Sequence, residues 1–388
     1  MENEPSPPSS PSPVPPHIPP VSVSSGAPYI TPPRREKKGT GWKIATILLA
    51  LALLAVVGFE ILGALISIGG GSNPSSPSRF QEVTVENVGS RDKIAIIPVE
   101  GVIMGGSEPV GRTLAKAIED KLKLAAQDSR VKAVILRVNS PGGEVLASDD
   151  IAAAIVKFQQ KHNKPVIASM GSMAASGGYY ISAPCRWIVA NDLTMTGSIG
   201  VIMQTYNFRG LMNKIGVRPL TYTSGKFKDM LSMSKEIENL TPEQKAELKE
   251  EEALMRKMIG DVYERFKTVV ADGRKLANGK NSSNADPGQT LSDKWTNFAD
   301  GRILSGREAF DLGLVDEIGN FETAVKRALN FTKLSEANLV TYQEPFSITD
   351  VLGGILGKSD AKGVKLDVGL DLPKLKSGLY YLAPSFMH

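Results

Sequence analysis

The sequence is poor in the residues that most often do chemistry. Among 388 residues there is one cysteine and there are three histidines. Cys185 alone can form no disulfide within the chain and no thiolate cluster for zinc. Its neighbours Ala183, Pro184 and Trp187 suggest a packed core thiol. His17, His162 and His388 are too scattered for a histidine metal site. Charge of one sign is lacking too. Without the five basic and three acidic residues of positions 1–43, 40 basic residues balance 38 acidic ones. No basic stripe stands out, so nucleic acid is not an expected partner. No internal repeat is visible.

What is present is unevenly distributed. Residues 1–33 are dominated by Pro and Ser and have almost no aliphatic clustering. Such a stretch cannot bury enough apolar surface to offset its chain entropy, and 1–43 reads as a disordered tail ending in the basic run "RREKKGTGWK". Then comes "IATILLALALLAVVGFEILGALISI", residues 44–68, in which Glu60 is the only charge. As a helix this run would reach about 37 Å, more than the roughly 30 Å of a bilayer core, and a single transmembrane anchor is expected. A cleaved signal peptide would place a shorter apolar core near the N-terminus. Arg34, Arg35, Lys37, Lys38 and Lys43 precede the run against one Glu36. The positive-inside rule therefore puts the tail in the cytoplasm and everything after the run on the outer side, periplasmic or extracellular. "GGGSNPSSPS" opens a flexible linker, taken as 69–90.

The remainder alternates strand and helix patterns. "KIAIIPVEGVI" (93–103), "VKAVILRVN" (131–139) and "PVIASMG" (165–171) read as strands, and "RTLAKAIEDKLKLAAQ" and "SDDIAAAIVKFQQKH" as helices, with Ser148 at the start of the second. "RWIVAND" and "VRPLTYTSG" look like two further strands. The alternation implies βαβ units and a largely parallel sheet, hence an α/β fold. From Thr241 a long amphipathic helix is expected, since Thr241, Pro242 and Gln244 form a capping-box pattern with Pro at the first helical position. "ADGRILSGREAFDLGLVDEIG" (299–319) mixes turns with a short helix.

One stretch asks for a chemical reading. "GSMAASGGYY" (171–180) places Ser176 among small residues, after a strand and before an apolar helical run. Small residues let backbone approach backbone or a bound group. A serine nucleophile needs a base, and no histidine is well placed. Lysine can serve where burial favours its free amine. "YTSGKFKDM" offers Lys226 and Lys228 after a Ser-Gly turn. "VNSPGGE" (138–144) ends a strand in glycines, and one amide there with one beside Ser176 could make an oxyanion hole.

"VNSPGG", "GSMAASGGYYISAP", "TGSIGVIM", "SGKFKDM" and "DGRILSGREAFDLGLVDEIG" occur in this order, and over residues 90–330 the chain resembles the signal peptide peptidase A family. These are membrane-anchored Ser-Lys serine proteases with a ClpP/crotonase-like fold. The resemblance implies a protease domain over 91–335 and a C-terminal extension over 336–388. It implies Ser176 as nucleophile, Lys228 as general base, Gly143 and the amide of Gly177 as oxyanion hole, and Ser198 as the residue that orients the lysine. It further implies no cofactor or metal, a homo-oligomeric ring at the membrane, and signal-peptide remnants and other membrane-associated peptides as substrates. A crotonase-like acyl-CoA enzyme and an inactive scaffold ring of the same fold are the competing expectations.

Overall fold

Continuous apolar runs bounded by turns make the middle of this fold, because their side chains are buried on both faces. The computed structural model describes residues 46–54, 80–105, 113–344 and 379–382. The chain separates into two units, 1–75 and 76–388. In the first, residues 46–54 form an exposed helix, α1. Among the described residues no helix is long and apolar enough to cross a membrane. The tail and the rest of the expected anchor, 1–45 and 55–68, lie outside the described residues.

The second unit carries the mixed α/β fold. Its main sheet runs β1 (Gln81–Glu86), β11 (Asn338–Gln343), β2 (Lys93–Glu100), β3 (Val131–Ser140), β5 (Val166–Ala174), β6 (Trp187–Ala190), β10 (Glu317–Ile318). The pairings from β11 to β10 are parallel, and β1 is antiparallel to β11. Alternation along β3 builds the layers. Val134, Leu136 and Val138 face one cluster with Ile118 and Leu122 of α2 (Leu114–Gln127) and Ile151, Ile155 and Phe158 of α3 (Val145–His162). Ala133 and Ile135 face the other, with Ala324 and Ala328 of α8 (Phe321–Thr332). Two βαβ crossovers, through α2 and α3, thus place β3 centrally.

Several expectations need correction. β1 lies within the stretch read as linker, and β11 within the stretch read as a C-terminal extension; both belong to the main sheet. "VRPLTYTSG" forms no strand; residues 217–223 follow the short helix α5 (Arg209–Lys214) as irregular chain. Its polar and apolar residues face no neighbouring edge, and strand propensity without a partner does not suffice. Helix α3 starts at Val145, so Ser148 lies in its first turn and donates back to the Glu144 carbonyl at 2.9 Å. The long helix α6 (Pro242–Asn281) has the expected capping box at Thr241 and Gln244.

The far half of α6 is bolted under the short helix α4 (Gly177–Ser182). Phe266 packs edge-on against Tyr180, centroids 4.9 Å apart. Gly273 lies so close to Ala183 that a Cβ would come within 2.6 Å of its carbonyl oxygen. Arg274 and Asp316 form a fully buried ion pair. Arg274 also donates to the Cys185 carbonyl at 3.1 Å, and Asp316 accepts from the Ile188 amide at 2.8 Å. Cys185 is buried, as its neighbours suggested, and burial pushes its thiol up to about 12.

Removing one partner of this pair strands a buried charge. Arg274→Met is expected to cost about 3–5 kcal/mol in denaturant unfolding. The double variant Arg274→Met with Asp316→Leu should recover part of that loss, and a double variant no more stable than Arg274→Met alone would refute the account. Removing the exposed Arg302–Asp300 pair should change little.

Candidate active site

Strand β5 ends at Ala174, and α4 begins at Gly177. Ser176 makes the corner with φ 53° and ψ −116°, a conformation that non-glycine residues avoid. Holding it costs of order 1–3 kcal/mol, which the surroundings must supply. Backbone bonds fix the turn: Ser176 donates to the Gly197 carbonyl at 2.8 Å, Gly178 to Ala175 at 2.8 Å, and Tyr180 to Ser176 at 2.8 Å. Tyr179 donates its hydroxyl to the Leu314 carbonyl at 2.8 Å, pinning α4 from below. Ser176 is buried, yet its Oγ has no hydrogen-bond partner among the described residues. A buried unpartnered hydroxyl is uncommon and calls for a functional account.

The small residues around Ser176 are explained by what lies against them. A Cβ on Gly177 would come within 2.7 Å of Ser148 Oγ, 3.0 Å of the Gly143 nitrogen and 3.1 Å of the Gly142 Cα. One on Gly178 would come within 2.8 Å of the Ser140 carbonyl oxygen, which accepts from Ala175 at 3.1 Å. The "SPGG" turn and the Ser176 corner are therefore packed backbone to backbone. Gly143 has the least space of these three, since a Cβ there would be 1.9 Å from the Ile103 carbonyl oxygen. Gly142 and Glu144 flank it with bonds to Ile103 at 2.8 and 2.7 Å. Gly142 has φ +103°, and its amide donates to Ser140 Oγ at 3.1 Å.

The "TGSIG" segment closes the third side. Strand β7 (Met195–Gly197) pairs with β5 and with β9 (Ile303–Ser305). Thr196 Oγ1 donates to the Ala174 carbonyl at 2.7 Å, two residues before Ser176. Gly197 and Ser198 both have positive φ, 69° and 49°, and the Ser198 amide donates to the Arg302 carbonyl at 2.7 Å. Ser198 is buried and opens on a cleft of about 640 Å³ lined by Val201, Ile202, Arg256, Tyr263 and Asp300. Ser176, Gly143, Gly177 and Ser198 are thus brought together.

The lysines are not. Residues 225–231 are a series of tight turns, with Lys228 donating its amide to Gly225 at 3.1 Å. Both side chains are exposed. Lys226 is ion-paired to Glu250 at 2.5 Å, which raises its pKa and keeps it protonated. Lys228 makes no ion pair among the described residues, and it does not reach Ser176 Oγ within the chain.

Two further features border the site. From Gly200 to Glu250, fifty-one residues including Lys228, not one residue is buried in the single chain. Leu220 and Tyr222 are 81% and 92% exposed. The strand expected at "VRPLTYTSG" implied burial that this segment does not have. The second is β12 (Leu379–Leu382), which lies antiparallel between β4 (Gly142–Glu144) and β8 (Ile202–Met203). Tyr381 stands opposite Gly143 and Tyr380 opposite Glu144 and Ile202. The slot beside Ser176 therefore accepts one extended strand.

Comparison with known proteins agrees with this architecture. The model for peptidase family S49 matches residues 158–335. A Synechocystis sp. chain, slr0021, named a protease, is 34% identical over 72% of this chain and 89% of its own. An Enterococcus faecium chain named signal peptide peptidase SppA is 37% identical over 69% of this chain and 71% of its own. The chloroplastic serine protease SPPA of Arabidopsis thaliana is 34% identical over 72% of this chain and 39% of its own. The chain belongs to peptidase family S49 and is an SppA-type serine protease.

Proposed function

We propose that this protein is a membrane-anchored endopeptidase that degrades cleaved signal peptides and other membrane-associated peptides through a Ser176–Lys228 dyad. The observation that carries this reading is the buried, strained and unpartnered Ser176 hydroxyl beside the amides of Gly143 and Gly177. An extended peptide adds a strand between β4 and β8, as β12 does, which brings a carbonyl toward Ser176. The lysine amine takes the hydroxyl proton as Oγ attacks that carbonyl. The carbonyl oxygen becomes the oxyanion, held by the Gly143 and Gly177 amides. The protonated amine then gives its proton to the leaving nitrogen, and water hydrolyses the acyl-enzyme by the same route. Ser198 orients the amine. Run 44–68 is the anchor, with the tail cytoplasmic and the catalytic unit on the outer side. The name of the Enterococcus relative supports the substrate class.

The base comes from a second copy in a homo-oligomeric ring. Support lies in the fifty-one residues from Gly200 to Glu250 that bury nothing in one chain while exposing Leu211, Ile215, Leu220 and Tyr222. Such a surface fits a partner of the same chain, and a head-to-tail ring lets every copy give one lysine and receive another. Docked there, Lys228 leaves water and can lose its proton.

Three outcomes test this reading. Ser176→Ala and Lys228→Ala should each lower kcat/KM by roughly 10³-fold or more, because a dyad acts as a unit. Lys226→Ala should keep most activity, since Glu250 holds that amine; an inactive Lys226→Ala beside an active Lys228→Ala would reverse the assignment. Second, mixing Ser176→Ala with Lys228→Ala chains should restore about a quarter of wild-type activity, the share of interfaces that pair an intact serine with an intact lysine. Rings shown to contain both variants but lacking activity would place both dyad members in one chain. Third, β12 occupies the slot a substrate needs, so deleting residues 379–388 should lower KM for added peptide several-fold; an unchanged KM would deny the tail this competition.

A further inference from the structure

One half-buried cation ties the turn that carries Lys228 to three carboxylates. Lys235 Nζ lies 3.1 Å from Asp229 Oδ1 and 3.9 Å from Glu247 Oε1, and it is bonded to Glu251 Oε1. Asp229 is the residue after Lys228; Glu247 and Glu251 lie one turn apart on α6. The three carboxylates approach one another within 4.8 Å. Glu251 is buried, and a buried carboxylate beside two others needs a counter-charge. The backbone of Lys235 is tied as well. Its carbonyl accepts from Asn207 Nδ2 at 2.9 Å, its amide donates to Ser232 at 3.2 Å, and two residues earlier Met233 accepts from the Phe208 amide at 2.7 Å. Three segments cross at this residue: the start of α5, the lysine turn and α6.

We propose that Lys235 is a positioning residue for the general base, locking the Lys228 turn onto α6 by bridging Asp229 to Glu247 and Glu251. The inference rests on the dyad reading above. A lysine delivered to a neighbouring chain must keep its place relative to its own chain's rigid part, and α6 is the rigid part here, with its far half bolted under α4. The turn buries no apolar residue that could hold it. The Lys226–Glu250 pair is a second strap to α6, but both its ends are about half exposed and salt weakens it. The charged groups around the turn are therefore Lys226 and Glu250 on one side and Asp229, Lys235, Glu247 and Glu251 on the other, with the Arg209–Glu236 pair beyond them.

This role separates from plain stabilisation through the pH profile. Lys235→Met leaves three carboxylates near Lys228 without their cation, loosens the turn and favours the charged amine. Rings of Lys235→Met should show kcat lower by roughly 10–100-fold, nearly unchanged KM, and an acid limb moved upward by about half a pH unit. Asp229→Asn keeps the shape, removes one negative charge beside Lys228 and cuts the strap. Its kcat should also fall, but its acid limb should move downward. Lys235→Arg restores the bridging charge and should return kcat to within a few-fold of wild type. If Lys235→Met does not assemble, the Asp229→Asn limb decides alone. The inference is overturned if kcat stays within twofold of wild type in either assembled variant. It is equally overturned if Asp229→Asn leaves the limb in place or moves it upward. An active Lys228→Ala would bring down the dyad itself; an inactive Lys228→Ala with unaltered Lys235→Met and Asp229→Asn would bring down only the role of Lys235.

Discussion

Everything at the site depends on two peptide segments lying closer together than any side chain permits. The "SPGG" turn and the Ser176 corner touch through backbone, with Gly177 against Gly142 and Gly143 and Gly178 against Ser140. No Cβ fits at either position. The contact fixes where two amides stand relative to one hydroxyl, and an oxyanion site works only when its donors are set before charge develops. Sub-ångström placement of this kind cannot come from flexible side chains. It comes from β3 and β5, paired in the sheet, each ending in one half of the contact.

Strain at Ser176 is affordable because its neighbourhood is stiff on every side. Gly197 takes the Ser176 amide, Thr196 takes the Ala174 carbonyl, and Tyr179 reaches across to Leu314. Beneath α4, Phe266 and the Arg274–Asp316 pair join α6 to the start of β6. A buried ion pair is weak as a source of stability but exacting in geometry. The Ala183 and Cys185 carbonyls accept from Arg274 and the Ile188 amide donates to Asp316, so the pair ties α6 to the turn after α4 and to β6.

The backbone geometry of the Ser176 corner was legible in the sequence and the setting of the lysines was not, for a physical reason. Glycines that allow close approach, apolar strands buried on both faces and capping boxes are local codes, and "SPGG", "ASGGYY" and Thr241 with Gln244 carried them. "VRPLTYTSG" carried a local code as well, β-branched and aromatic residues between turns, and it misled. A strand is decided by the edge it meets, and in this chain residues 217–223 meet none. β1 and β11 were missed for the converse reason. "QEVTVE" and "NLVTYQ" are short and half polar, yet each finds an edge 250 residues or so distant in sequence. The difference in setting between Lys226 and Lys228 also lies in tertiary structure, because Glu250, which holds Lys226, stands on another element.

The two halves differ in how they are held, and the difference constrains how the enzyme is switched on. The serine, the two amides and Ser198 are buried and fixed by bonds within one chain. The lysine stands on the segment 200–241, which buries nothing and is tied to α6 chiefly by charge. An exposed ammonium in water is no base at neutral pH, whatever the quality of the serine corner. As the proposed base, Lys228 therefore has to be desolvated by something other than its own chain's core. On the proposed reading, the surface that desolvates it also holds the serine, so assembly and activation are one event. β12 fits the proposed reading too: a strand seated between β4 and β8 makes any extended peptide compete for entry to the slot beside Ser176.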